Sequence, residues 1–93
     1  MASTDAPNAL ADVRGLYSPS TGTVYAATAG GGLWRSSDNG ASWARVATFP
    51  ARYVAAVTGS ATNSSIIFAA TRDGVLRTID AGASWTQLTY ESA

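Results

Sequence analysis

An eight-residue pattern occurs twice in the chain, as SSDNGASW at Ser36–Trp43 and as TIDAGASW at Thr78–Trp85. In each copy a hydroxyl residue is followed by Asp two places on, by Gly two later and by Trp three later. The copies lie 42 residues apart and share their flanks, Leu33-Trp34-Arg35 before the first and Val75-Leu76-Arg77 before the second. A duplicated unit of this size constrains the fold strongly, because one such unit seldom buries its apolar face alone and stacks on its neighbour instead.

The segments around the pattern read as strands and turns. In the first repeat, Val13–Tyr17, Thr23–Thr28, Leu33–Ser37 and Ser42–Thr48 are strand candidates. They are separated by the turn clusters Ser18–Gly22, Ala29–Gly32 and Asp38-Asn39-Gly40. In the second repeat, Tyr53–Thr58, Ser65–Thr71, Val75–Ile79 and Ser84–Tyr90 follow the same order. Turn residues interrupt every short apolar run, and no window carries a 3.6-residue period, so helices are not expected. The spacing predicts an all-β chain of two four-stranded antiparallel meanders, each about the length of one propeller blade. The expected divisions are an arm over 1–12, a first blade over 13–50 and a second over 51–93.

The pattern Ser/Thr-x-Asp-x-Gly-x-x-Trp resembles the Asp-box, or BNR repeat, of sialidases, xyloglucanases, sortilin-type receptors and photosystem II stability factors. The resemblance runs from Val13 to Tyr90 and implies β-propeller blades, but it does not specify an activity, since one box serves unrelated functions. Read from the residues, Asp38 and Asp80 are placed to accept backbone N–H groups that a hairpin leaves open. Gly40 and Gly82 permit left-handed backbone, Ser36 and Thr78 supply nearby hydroxyls, and Trp43 and Trp85 fold the turn onto the sheet. A metal role for either Asp is not expected, because no His or further carboxylate stands close in sequence.

Two blades do not make a closed propeller, and their two outer faces would leave roughly 1,000 Å² to be covered across each contact. Soluble monomers tolerate apolar patches of only a few hundred Å². The expected partners are therefore identical chains in a closed head-to-tail ring. A trimer of six blades is favoured over a tetramer of eight, since six-bladed propellers with this box are familiar from sialidases. A chain excised from a longer propeller, natural or designed, is the alternative.

Six Arg balance five Asp and one Glu, and the chain has no Lys, His or Cys. Zero net charge gives no general footprint for nucleic acid or an anionic membrane. The start, MASTDAPNALAD, has neither a basic n-region nor an apolar h-region, so no signal peptide is expected. The usual nucleophile–base pairs are missing, and the single Glu, Glu91, lies in the tail. A non-enzymatic binding or structural scaffold for glycan or protein is the first expectation, with no cofactor. A fragment of a glycoside hydrolase of sialidase or xyloglucanase type is the second.

In an antiparallel meander the loops alternate between two ends. The boxes share one end, while the other carries Ala29–Gly32, the link around Phe49–Tyr53 and Arg72-Asp73-Gly74. The resemblance implies that ligands sit at that second end, which makes Arg52, Tyr53, Arg72 and Asp73 the candidate ligand-binding residues. Trp34 is expected in packing between blades, and Arg35 and Arg77 in the structure of the repeat. Gly30-Gly31-Gly32 lacks the Lys and helix of a phosphate loop. Asn63-Ser64-Ser65 fits a glycosylation acceptor, a pattern common by chance.

Overall fold

The computed structural model describes residues 12–88. The arm before residue 12 and residues 89–93, which end the expected last strand and form the tail, lie outside the described residues. The first sheet contains β1 (Val13–Ser20), β2 (Thr23–Thr28), β3 (Gly32–Ser36) and β4 (Ala44–Arg45). The second contains β5 (Val54–Gly59), β6 (Ile67–Thr71), β7 (Gly74–Thr78) and β8 (Thr86–Leu88). Strands pair antiparallel in chain order throughout, so each repeat is a four-stranded meander as its spacing predicts.

The strand limits differ from the expected ones for local reasons. β1 continues through Pro19 to Ser20, because Ser18 Oγ donates to the carbonyls of Thr23 (2.7 Å) and Ser20 (3.0 Å) across an irregular register. Proline is tolerated there, since β1 is a sheet edge and its missing N–H removes no ladder bond. β4 keeps only two residues, because the chain turns out of the sheet where the Phe49 N–H donates to the Val46 carbonyl at 3.0 Å. This exit frees Thr48 and Phe49 to strap the second sheet.

Side chains alternate between strand faces, so each sheet has two surfaces of different composition. Tyr25, Ala27 and Leu33 of the first sheet pack with Val54, Val57, Ile67, Ala69 and Leu76 of the second into one buried cluster with Phe49. Tyr17, Val46, Ala51 and Trp85 close its rim. Polar groups cross this joint as well. Tyr17 Oη donates to the Ser60 carbonyl and Tyr25 Oη to the Ala81 carbonyl, each at 3.4 Å. Thr48 Oγ1 donates to the Gly82 carbonyl at 2.6 Å and accepts the Trp85 indole N–H at 3.2 Å. The Phe49 and Trp85 rings meet edge to face with centroids 4.9 Å apart, a favoured aromatic geometry.

The opposite face of the first sheet is partly covered by the chain's own side chains. Ala26 and Trp34 are buried there with Trp43 against them, while Leu16 is 63% exposed and Val13 39%. Trp34 thus lies on the side away from the second sheet and takes no part in the joint between the two repeats.

Gly59 sets the closeness of the joint. A Cβ at this position would lie 2.6 Å from Tyr17 Cε2 and 2.8 Å from the Ile66 backbone oxygen. The ring can swing aside only by leaving Ser60, and the backbone oxygen has no such freedom. Gly59→Ala is expected to destabilise the chain by about 1–3 kcal/mol, the usual range for overpacking. Chemical denaturation of both proteins checks this, and unchanged stability would show that the joint yields easily.

Candidate functional site

The repeated turns form the first group of predicted residues. Ser36 Oγ donates to Asp38 Oδ1 (2.7 Å) and accepts the backbone N–H groups of Asp38 (3.2 Å) and Gly40 (2.8 Å). Asp38 in turn accepts the Ser42 N–H at 2.9 Å and the Ser42 hydroxyl at 2.6 Å. Thr78, Asp80 and Ser84 reproduce every one of these bonds in the second repeat. Both Asp side chains therefore accept backbone N–H bonds as their position in the turn predicts. Ser42 and Ser84 were not singled out by sequence reasoning, although both stand in the repeated pattern.

These bonds stabilise the ionised carboxylates. The Ser42 hydroxyl and N–H, with Ser36 behind them, bring the Asp38 carboxyl down to about 2. The Thr78 hydroxyl, followed by the Ser84 hydroxyl and N–H, lowers Asp80. The turns also use left-handed backbone at two successive residues, with φ of 62° at Asn39 and 89° at Gly40, and 59° at Ala81 and 93° at Gly82. The Trp43 indole donates to the Gly40 carbonyl at 3.0 Å, whereas the Trp85 indole reaches Thr48 across the joint.

The second group gathers at the opposite end. The first hairpin and the link are bound together there by backbone, because the Arg52 carbonyl accepts the N–H groups of Gly30 (3.1 Å) and Gly32 (2.7 Å). Tyr53 bridges Ala29 beside them. Arg52, Tyr53, Arg72 and Asp73, named together from sequence as one end's candidates, all line one open cleft of about 340 Å³, with Pro50, Ala51 and Leu76 supplying apolar wall. The Arg72 guanidinium carbon lies 4.0 Å from the Tyr53 ring centroid, within cation–π range, and its N–H groups make no hydrogen bond among the described residues. Gln87 Nε2 donates to the Asp73 carbonyl at 2.8 Å, and Thr71 Oγ1 donates to the Gly74 carbonyl and accepts the Asp73 N–H, so the Arg72-Asp73 hairpin is braced on both sides.

Arg52 also borders a neighbouring cavity of about 250 Å³ lined by Gly30, Gly31, Trp34 and Arg45. Arg45 was missed by sequence reasoning; its signal is only that Gln87 occupies the matching place in the second repeat. The ion pair among the described residues joins Arg14 to Asp12 at 3.0 Å, so the guanidiniums of Arg45, Arg52 and Arg72 make none there. This end can hold anionic or hydroxyl-rich groups through guanidinium forks. It offers little flat aromatic surface, since Arg72 covers Tyr53 and Trp34 is buried with its indole N–H on the Gly31 carbonyl. No group of three His, Cys, Asp or Glu side chains is positioned to hold a metal ion among the described residues.

No protein-family model matches the sequence, and no curated protein matches it. Solved structures do. The chain is similar to the GH74 xyloglucanase from Xanthomonas campestris, with a TM-score of 0.67 and 25% identity over 74% of this chain and 13% of that one. It is similar to an ancestral GH74 enzyme, with a TM-score of 0.73 and 26% identity over 82% and 10% of the respective chains. It also shares its fold with YCF48 bound to D1 peptide, with a TM-score of 0.71 and 16% identity over 89% and 28%. All three are β-propeller proteins, and the two four-stranded antiparallel sheets are consistent with propeller blades. The chain spans between 10% and 28% of the length of these structures.

The two turn carboxylates make the fold acid-sensitive in a defined window. Their folded-state values lie below the ordinary value near 3.8, so the stability they contribute is present above pH 3.8 and is lost as pH falls through the lowered values, about 2 for Asp38. The midpoint of thermal unfolding is expected to drop between about pH 4 and pH 2. In Ser42→Ala, which removes the largest cause of the Asp38 shift, that drop becomes shallower. Calorimetry across this range checks both, and parallel curves for the two proteins would contradict the assignment.

Proposed function

We propose that the chain is a non-enzymatic two-blade Asp-box propeller unit that closes a ring with copies of itself and presents its loop ends as a binding scaffold. One observation carries the assembly. The positions left open on the outer faces are the repeat equivalents of positions buried in the joint the chain already contains. Strand register matches Val13 with Val54, Leu16 with Val57, Tyr25 with Phe68 and Leu33 with Val75. Val54, Val57, Tyr25 and Leu33 are buried at 8% exposure or less, whereas Val13, Leu16 and Val75 are at least 36% exposed. The open face of the second blade thus has the design of the face that receives a blade, and β1 has the design of the strand that is received. Copies joined this way are related head to tail, and a ring satisfies every open face whereas a filament does not. Six blades from three copies remain the favoured size.

Within such a ring the cleft between Arg52-Tyr53 and Arg72-Asp73 repeats once per copy, which suits multivalent capture of glycan or protein. YCF48, which shares the fold, has a D1 peptide bound in its structure. A segment of a longer glycoside hydrolase propeller is the second reading, favoured by the likeness to GH74 enzymes of which this chain covers only 13% and 10%.

Size-exclusion chromatography with light scattering tests the assembly. The expected mass is a whole multiple of the 9.5 kDa chain, three being favoured; a well-folded monomer at every accessible concentration would defeat the ring. Glycan arrays and pull-downs test the scaffold. Any ligand found is expected to be lost in Arg72→Ala and Tyr53→Ala with folding intact, whereas hydrolysis of a fluorogenic glucoside or sialoside by the purified chain would favour the second reading.

A further inference from the structure

The two joints of such a ring, one within a chain and one between chains, cannot be chemically alike, and the difference concentrates at one place. Within the chain, Arg35 holds its guanidinium 6.0 Å from the Tyr25 ring centroid and lines a cavity of about 270 Å³ with Ala81 and Gly82. The first blade's arginine therefore looks onto the turn of the second blade, where Tyr25 Oη also donates to the Ala81 carbonyl. Arg77 is the equivalent arginine of the second blade, pairing with Phe68 as Arg35 pairs with Tyr25. Two things have changed around it. Phe68 has no hydroxyl to give to an opposing turn. The turn that would oppose it, by the same repeat relation, carries Asn39 where the second carries Ala81.

Arg77 Nε is a buried donor with no hydrogen-bond partner, the one such side-chain atom among the described residues. That nitrogen is closed off by its own chain, so a neighbouring copy reaches the half-buried Arg77 only through its terminal guanidinium N–H groups. Asn39 is exposed, and its side chain makes no hydrogen bond among the described residues. A left-handed φ of 62° by itself favours Asn, yet Ala81 holds the same geometry in the other repeat, so the turn alone does not require Asn39.

We infer that Arg77 of one copy donates to the side-chain carbonyl of Asn39 in the next copy, and that this bond replaces, between chains, the Tyr25–Ala81 bond made within a chain. The inference rests on the head-to-tail reading above. It assigns Arg77 and Asn39 as the residues that distinguish the joint between copies from the joint within one, and so govern which faces meet.

The test is sedimentation equilibrium of the full chain, with circular dichroism to confirm folding of each variant. Arg77→Gln and Asn39→Gly are expected each to weaken assembly by about tenfold or more, as loss of a charge-assisted bond does. Asn39→Gly keeps the left-handed turn, so its folding is preserved. The double variant is expected to be no weaker than the worse single one. Asn39→Asp is expected to strengthen assembly and make it salt-sensitive, with the sensitivity gone when Arg77→Gln is added. Assembly of wild-type strength in both single variants, or a salt response of Asn39→Asp that survives Arg77→Gln, overturns the pairing while leaving the ring intact. A wild-type chain that never associates overturns the head-to-tail reading and the pairing with it.

Discussion

The burial of one sheet face against another organises this chain. Each strand directs alternate side chains to opposite surfaces, so a four-stranded meander has two faces and covers neither by itself. The joint that is present covers one face of each sheet with aliphatic side chains against two tyrosines, Tyr17 and Tyr25. The tyrosines combine area with direction. Their rings fill the cluster while their hydroxyls reach backbone carbonyls of the second sheet and orient it. Burial raises the Tyr25 phenol above its ordinary value, which keeps the hydroxyl protonated and able to donate.

The turns brace that joint rather than standing apart from it. Ser36, Asp38 and Ser42 satisfy the backbone donors of a tight bend, which lets the bend present its carbonyls outward. In the second repeat those outward carbonyls, from Ala81 and Gly82, are what Tyr25 and Thr48 bind. The geometry is maintained even though Ala81 occupies left-handed backbone, at a cost of about 1–2 kcal/mol for a residue with a Cβ. Asn39 meets the same geometry with a residue that tolerates it better. The two copies of one turn have therefore been adjusted to different neighbours.

Charge is unevenly distributed along the strand direction. The ends with the repeated turns hold Asp38 and Asp80, both engaged by serine and threonine hydroxyls. The other end gathers Arg45, Arg52 and Arg72 around two adjoining cavities, with Asp73 among them. A chain of zero net charge thus presents a locally basic surface, which overall composition conceals because it averages over both ends.

The repeated octapeptide and the turn residues between apolar runs were enough to predict eight strands, their antiparallel order, the sharing of ends by loops and the convergence of Arg52, Tyr53, Arg72 and Asp73. These features follow from covalent connectivity and a period of two, both of which are local. What one strand does to another sheet is not local. The early exit of β4, the strap made by Thr48 and Phe49, the burial of Trp34 away from the joint and the part played by Arg45 depend on which face turned inward. The sequence by itself determined the two meanders and their turn chemistry, since those bonds close within a few residues. Only the tertiary structure decided which faces are covered and which arginines share a cleft, because packing selects among faces that the alternation of side chains leaves equally available.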